Sequence, residues 1–427
     1  MSQALAIINA RLVDPATEFD GPGGVRIENG VITDWGDQVE TADLDTVIDA
    51  RGRILAPALI DLRTAIEPGF TPDGETASHL AAAAAAGGVG TVVIAPNALT
   101  PQDAPGPLKA QAAGLAQQRV RMMLAGGATV ALEGEAMAEL GLQNQVGLAY
   151  YSCGDAPIGD ARTFRRILSY ASQFDHWVAA RPADAHLSAG AIAVESDWSA
   201  RMGLPAEPAI AERMAIERDA SLAELSGGKL LVDRVSTRSG LDALRHVRRR
   251  DIDIAAMASI AHLVLNEIDA ASLDGNLRMT PPLRTEDDRL ALIEAVAAGE
   301  IQAIVSDHRP TPFDDKGEPF AMAAPGTLAV EILLAALLGR VHDEELSLVE
   351  ALRPVTSGPA DLLGLEQGRL AVGAPADLVL IDGDRPWVCD PENFRSARGN
   401  CAWTGRRMTG QALQTLVGGI TIHNSEV

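Results

Sequence analysis

Cysteine is scarce in this chain: three in 427 residues, Cys153, Cys389 and Cys401, with no Cys-x-x-Cys pair. Such wide spacing argues against a disulfide framework and a structural zinc cluster, and it fits a reducing cytoplasm. Basic residues are in deficit too, with 35 Lys and Arg against 58 Asp and Glu and a formal net charge of -23. A field of that sign repels phosphate, so nucleic acid and anionic membrane are poor partners. No apolar run approaches the roughly 20 residues of a membrane helix. The opening Met1-Ser2-Gln3-Ala4-Leu5-Ala6-Ile7-Ile8 lacks a basic segment ahead of a long apolar one, so no signal peptide is expected. Internal repeats and low-complexity linkers are absent as well.

What the chain does have is length enough for a large core and a consistent alternation of elements. The first fifty-odd residues are short β-rich runs, among them Ala4 to Ile8, Val25 to Ile27 and Val31 to Trp35. Glu28-Asn29-Gly30 between two of them signals a hairpin. A second β-rich stretch, from Gly373 to Ile422, closes the chain. Between them, apolar runs alternate with helical patterns: Thr91 to Ala95, Gly147 to Tyr151, Trp177 to Ala180, Leu230 to Val235, Ile252 to Ala256 and Ala303 to Ser306. Alternation of this kind predicts parallel strands with helical crossovers, closed into a (β/α)8 TIM-like barrel. The expected organisation is an α/β barrel over 56–364 with a small composite β-sandwich from both chain ends, 1–55 and 365–427. Functional side chains in such a barrel sit at the C-terminal ends of the strands.

Several motifs resemble the dihydroorotase family of the amidohydrolase superfamily, whose barrel is of the metal-dependent hydrolase type. Ala56-Pro57-Ala58-Leu59-Ile60-Asp61 and Glu67-Pro68-Gly69 are similar to its first strand and the loop beyond, and Gly87 to Asn97 to its second strand. Leu204 to Glu212 matches its proline and glutamate run, with Arg218-Asp219 at the family spacing. Pro281-Pro282-Leu283-Arg284 resembles its PPLR signature, and Ser306-Asp307-His308-Arg309-Pro310 its DHAPH element, with Lys316 downstream. Gly373-Ala374-Pro375-Ala376-Asp377 and Phe394-Arg395-Ser396 continue the likeness, which covers nearly the whole chain.

The resemblance implies two zinc ions held by a strand-one histidine pair, a bridging ligand, two later histidines and a final aspartate. Two imidazoles at i and i+2 of a strand can share one metal. In this chain the pair is replaced by Arg63 and Ala65, the bridge by Cys153, and the later histidines by Arg181 and Arg234. Asp307, the family's metal ligand and general base, is retained, as is Asn97 at a substrate-binding position. The substrate-binding arginine before Glu67 is missing, and Thr311 replaces a substrate-side histidine. A lone aspartate does not hold zinc usefully, and three arginines bring permanent positive charge to the place of the dication. No metal or other cofactor is therefore expected. The arginines are expected to pair with Asp307 and Asp184 in a salt-bridged plug, leaving Asp307 and Asn97 as vestiges.

Family members without the zinc ligands are associated with aspartate transcarbamoylase. The resemblance thus implies a non-catalytic protein of pyrimidine biosynthesis, part of a homo- or hetero-oligomer and partner of that enzyme's catalytic chain. One alternative is an active dihydroorotase or other cyclic-amide hydrolase with a rearranged site, holding one zinc through Asp307, Cys153 and His262 or working without metal. Another is an arginine-lined pocket that binds an acidic pyrimidine intermediate. His262 is otherwise expected to be a structural remnant, His186 a surface-loop residue and Cys153 a buried inert thiol. The run Arg245-His246-Val247-Arg248-Arg249-Arg250 is read as the solvated end of a helix.

Overall fold

The computed structural model describes residues 4–42, 44, 46–67 and 74–425. Pro68 and Gly69 of the Glu67-Pro68-Gly69 motif lie outside the described residues. Eight successive parallel strands form the barrel: Leu59–Thr64, Val89–Ile94, Arg121–Leu124 with its continuation Gly126–Gly127, Tyr151–Ser152, Trp177–Ala180, Lys229–Val232, Ile254–Ser259 and Ala303–Val305. The third strand hands over its pairing midway. Arg121–Leu124 pairs with strand two and Gly126–Gly127 with strand four. Closure between strands eight and one comes from Ala65 N–H donating to His308 O at 2.9 Å and Ser306 N–H to Asp61 Oδ1 at 3.1 Å.

Strands one and two are buried along their whole length. Parallel strands are covered on both faces, which is why strand two reads as a largely apolar run, while strand one carries Asp61, Arg63 and Thr64 into the buried interior. Ile60, Leu62, Val93, Tyr150, Leu231 and Met257 belong to one buried cluster, and a larger one joins the strands to the surrounding helices. The alanine run becomes helix Ala77–Ala86, N-capped by Thr76, whose hydroxyl accepts from His79 N–H at 3.2 Å. Alanine brings high helix propensity and lets the helix lie close against the barrel. Strand three escapes an apolar-run reading because it is short and opens on Arg121, whose guanidinium turns out of the barrel. Strand four is only Tyr151–Ser152, at the C-terminal end of its apolar run.

Both chain ends meet in one eight-stranded sheet. Strands Ala4–Asp14, Phe19–Glu28, Val31–Gly36, Thr46–Asp49 and Ile54–Pro57 join Leu378–Val388, Arg407–Val417 and Ile420–Asn424. The expected hairpin turn is present, with Asn29 and Gly30 at φ of 52° and 81°. Two consecutive left-handed residues match the twist of the flanking strands. Asp377 couples this sheet to the barrel. Its carboxylate accepts two bonds from Arg121, at 2.6 and 3.1 Å, and one from Gly418 N–H at 2.7 Å. No helix among the described residues is long and apolar enough to cross a membrane.

Asp377→Ala should lower stability by about 2–3 kcal/mol, the scale of charge-assisted hydrogen bonds lost from a buried acceptor. A calorimetric melting temperature equal to that of the unchanged protein would show that the two parts do not depend on this contact.

Candidate functional site at the barrel mouth

Chemistry in this architecture belongs at the C-terminal ends of the strands, and in this chain those ends converge on arginine. The register of strand one shifts between Asp61 and Thr64. Irregularities of this kind re-aim side chains. Arg63 is 5% exposed and reaches across the mouth: Nε donates to Asp307 Oδ1 at 2.8 Å, Nη1 to Asp233 Oδ2 at 2.9 Å and Nη2 to Asp155 Oδ1 at 2.7 Å. Arg234, 1% exposed, binds the same three carboxylates. It donates to Asp307 Oδ2 at 2.9 Å, Asp155 Oδ1 at 2.6 Å and Asp233 Oδ1 at 3.2 Å, and also to Thr280 O at 2.8 Å. Arg309 Nη1 completes the set on Asp155 Oδ2 at 2.6 Å. Three guanidiniums therefore face three carboxylates, and the cluster is formally neutral.

Two of its members sit on unusual backbone. Arg234 and Asp307 have φ of 67° and 52°. Non-glycine residues in the left-handed region carry strain and persist where their surroundings over-determine them. Electrostatics supply part of that determination. Burial alone would raise the carboxyl of Asp155, but Arg309, Arg234 and Arg63 hold it well below the usual range. Asp307 is likewise held low, with Arg234 and Arg63 outweighing burial and the like charge of Asp155. Arg234 is raised above its ordinary value despite desolvation, because Asp233, Asp307 and Asp155 surround it.

Arg181 stands apart from this cluster. Its Nη2 donates to Glu207 Oε2 at 2.8 Å, and the same carboxylate accepts from Arg284. Arg284 Nε also donates to Ser236 Oγ at 2.9 Å. Neighbouring Glu212 accepts the backbone N–H groups of Ser236 at 3.0 Å and Thr237 at 2.9 Å, together with both hydroxyls. The glutamate run and the PPLR arginine thus clamp the loop that carries Asp233 and Arg234.

The expected pairing needs two corrections. Asp184 is no part of the plug: its carboxylate accepts from His186 N–H at 3.0 Å and Leu187 N–H at 2.9 Å in an outer loop, and His186 is exposed there. Arg181 meets Glu207, not Asp307. The carboxylates that do the pairing, Asp155 and Asp233, were missed. A signal existed, since each lies within two residues of a replaced ligand position and a buried guanidinium requires a counter-charge.

The other candidates fall as follows. Cys153 is buried in the core, and desolvation pushes its thiol well up, so it is not a reactive thiolate. Ala65 and Asn97 line a cavity of about 20 Å³ over the cluster. That is room for one water molecule. Asn97 Oδ1 is already engaged by Leu99 and Thr100 N–H at 2.9 and 3.0 Å. His262 meets Pro282 O through Nε2 at 3.1 Å, and burial lowers its pKa to about 4, leaving it neutral. Thr311 is tied to Asn400 by its N–H at 3.0 Å. In the basic run, Arg245 pairs with Glu300 and Arg250 with Glu224.

These side chains do not fit the zinc ions that the fold implies. Guanidiniums have no lone pair to donate, alanine has none, and both oxygens of Asp307 already accept from arginine. Among the described residues no group of three His, Cys, Asp or Glu is placed to hold a metal. The set Asp307, Cys153 and His262 is therefore not a metal site.

A closed parallel barrel with a β domain from both chain ends defines the fold class as that of the amidohydrolases. The profile described as Amidohydrolase family matches residues 229–421. The L-hydantoinase of Arthrobacter aurescens superposes with a TM-score of 0.89 at 21% identity, over 99% of this chain and 96% of that one. A dihydroorotase of Anaeromyxobacter dehalogenans strain 2CP-C is 34% identical over 99% of this chain and 98% of its own length. A dihydroorotase of Syntrophotalea carbinolica is 34% identical, over 97% and 98%. The chain belongs to the dihydroorotase family.

Arg234→Ala should cost about 3–5 kcal/mol, because it leaves three carboxylates facing two guanidiniums, an uncompensated charge in the closed mouth. The double change with Asp307→Ala should cost less than the two singles summed. Additive losses in a denaturation cycle would refute a direct pairing. The pH dependence has a definite sign. Asp307 is depressed in the fold below an unfolded value of about 3.9. Its contribution is therefore complete above that value and is lost as pH falls through the folded pKa. The stability gap between the protein and Asp307→Asn should be widest at pH 7 and shrink below about pH 4. A gap that widens on acidification would contradict the cluster.

Proposed function

We propose that this chain is a non-catalytic member of its family, kept in pyrimidine biosynthesis as a structural partner of the aspartate transcarbamoylase catalytic chain. The observation that carries the non-catalytic reading is the double engagement of Asp307 by Arg63 and Arg234. Hydrolysis of a cyclic amide at neutral pH calls for an activated water and a base free to take its proton. In this mouth the aspartate is held as an ion-paired acceptor of depressed basicity. The small cavity above it would not admit a pyrimidine-sized ring. Curated relatives named dihydroorotases support the pathway.

The partner is the one the resemblance implies, and the surface is compatible with docking. Leu99, Ile268, Phe313 and Met322 stand exposed on the segments that follow barrel strands two, seven and eight, Phe313 at the start of the short helix Phe313–Gly317. A fold can keep a binding role after its chemistry is gone, because its outer loops do not depend on the site.

Purified protein should carry no stoichiometric zinc and should not interconvert dihydroorotate and carbamoyl aspartate. About one zinc per chain retained after mild chelation, or activity that survives repurification and is lost in Asp307→Ala, would favour an active hydrolase with a rearranged site. With the aspartate transcarbamoylase catalytic chain of the same organism, size-exclusion chromatography should show one co-eluting complex. Separate elution at micromolar concentrations would remove the scaffolding role.

A further inference from the structure

Cys389 and Cys401 are twelve positions apart, yet their Sγ atoms lie 3.6 Å from one another, and each residue is 1% exposed. Cys389 follows strand Leu378–Val388, and Cys401 lies on the segment that returns to strand Arg407–Val417. The base of this strap is closed by Cys389 N–H to Arg406 O at 2.9 Å and Gly405 N–H to Cys389 O at 2.8 Å. Packing alone does not require sulfur against sulfur, since any pair of small apolar side chains fills such a space. The two thiols are also unequal. The Cys389 S–H and the backbone N–H of Trp403 favour the anion at Cys401 and lower its pKa against the effect of burial, whereas Cys389 is raised. Thiols in such a pair have distinct roles, one attacking and one resolving.

The strap between them holds the rim of the barrel mouth. Ser396 Oγ and Ala397 N–H donate to Glu75 Oε2 at 2.8 and 2.6 Å, and Arg398 donates twice to Glu67 at 2.8 Å. Asn400 Nδ2 donates to Arg309 O at 2.9 Å, and Arg309 is itself a member of the charge cluster. Asp390, Asn400 and Thr404, neighbours in sequence of the two cysteines, line an open groove of about 770 Å³.

We propose that Cys389 and Cys401 are a redox modification site: a hydroperoxide converts them to an intramolecular disulfide that locks the strap, and a small thiol reverses it. The Cys401 thiolate attacks one peroxide oxygen. An S–O bond forms, the O–O bond breaks, and the departing hydroxide takes a proton to become water. Cys389 sulfur then attacks the Cys401 sulfenic acid. The S–S bond forms, the S–O bond breaks, and hydroxide leaves with the Cys389 proton as a second water. The two sulfurs together lose two electrons and one peroxide gains both. Closure shortens the sulfur separation from 3.6 Å to about 2.05 Å.

The test treats the whole chain with hydrogen peroxide, blocks free thiols under denaturing conditions and maps the peptides by mass spectrometry. Expected are a mass loss of two hydrogens, one linked peptide joining Cys389 to Cys401, an unmodified Cys153, and full reversal by dithiothreitol. The oxidised form should melt at a higher temperature than the reduced one. In Cys389→Ser the Cys401 sulfenic acid should persist and be trapped by dimedone, while Cys153→Ser should still form the bridge. Both thiols free after treatment, a bridge between two chains, or oxidation at Cys153 alone would overturn the proposal. Mapping of the unchanged protein decides the matter even where a cysteine variant fails to fold.

Discussion

Two guanidiniums at the ends of barrel strands one and six share three carboxylates, and the rest of the mouth is arranged around keeping that set closed. Arg63 and Arg234 are almost completely removed from water, where an unpaired charge is costly by several kcal/mol. Each is compensated by Asp155, Asp233 and Asp307, so neither can be relocated without exposing the others. Whether such a cluster exceeds an apolar core in net stability is a separate matter, since desolvation offsets much of the Coulomb gain. Its structural consequence is specificity: the loops after strands four, six and eight have one arrangement that neutralises all six charges.

The surrounding signatures make sense as supports of that arrangement. Glu212 takes the backbone and hydroxyl donors of Ser236 and Thr237, which sets the path of the chain just past Arg234. Glu207 joins Arg181 to Arg284 on the flank. Asp61 bridges strands one and eight beneath Arg63. These residues brace the barrel without needing the chemistry for which the family is named, so their presence beside substituted ligand positions is not a contradiction. The family motifs and the arginine–carboxylate cluster are carried largely by separate residues.

How much of this is legible in the amino-acid order differs from residue to residue. Five of the six strand-like runs overlap barrel strands closely because buried parallel strands leave apolar runs behind. The sixth, Gly147 to Tyr151, meets strand four at Tyr151 alone, and strand three left no such run, since Arg121 at its start points toward Asp377 in the β domain. Arg63, Arg234 and Asp307 stood out against the family motifs as members of the site. Asp155 and Asp233 did not, since carboxylates are common and nothing local distinguishes one that turns inward. Asp184, closer to Arg181 in sequence than Glu207, was the plausible partner and the wrong one, because its carboxylate is used to cap its own loop.

By itself the sequence determined the fold class, the composite β domain and the presence of arginine at positions 63 and 234, because periodicity, turn residues and side-chain chemistry are local properties. Tertiary structure decided which carboxylates meet which guanidiniums, that the mouth is filled down to the volume of one water, and that two cysteines with no motif between them touch. The physical reason is the same in each case. Charge pairing, exclusion of solvent and contact between sulfurs depend on distances of a few ångströms between residues far apart in the chain, and those distances exist only once the barrel has closed.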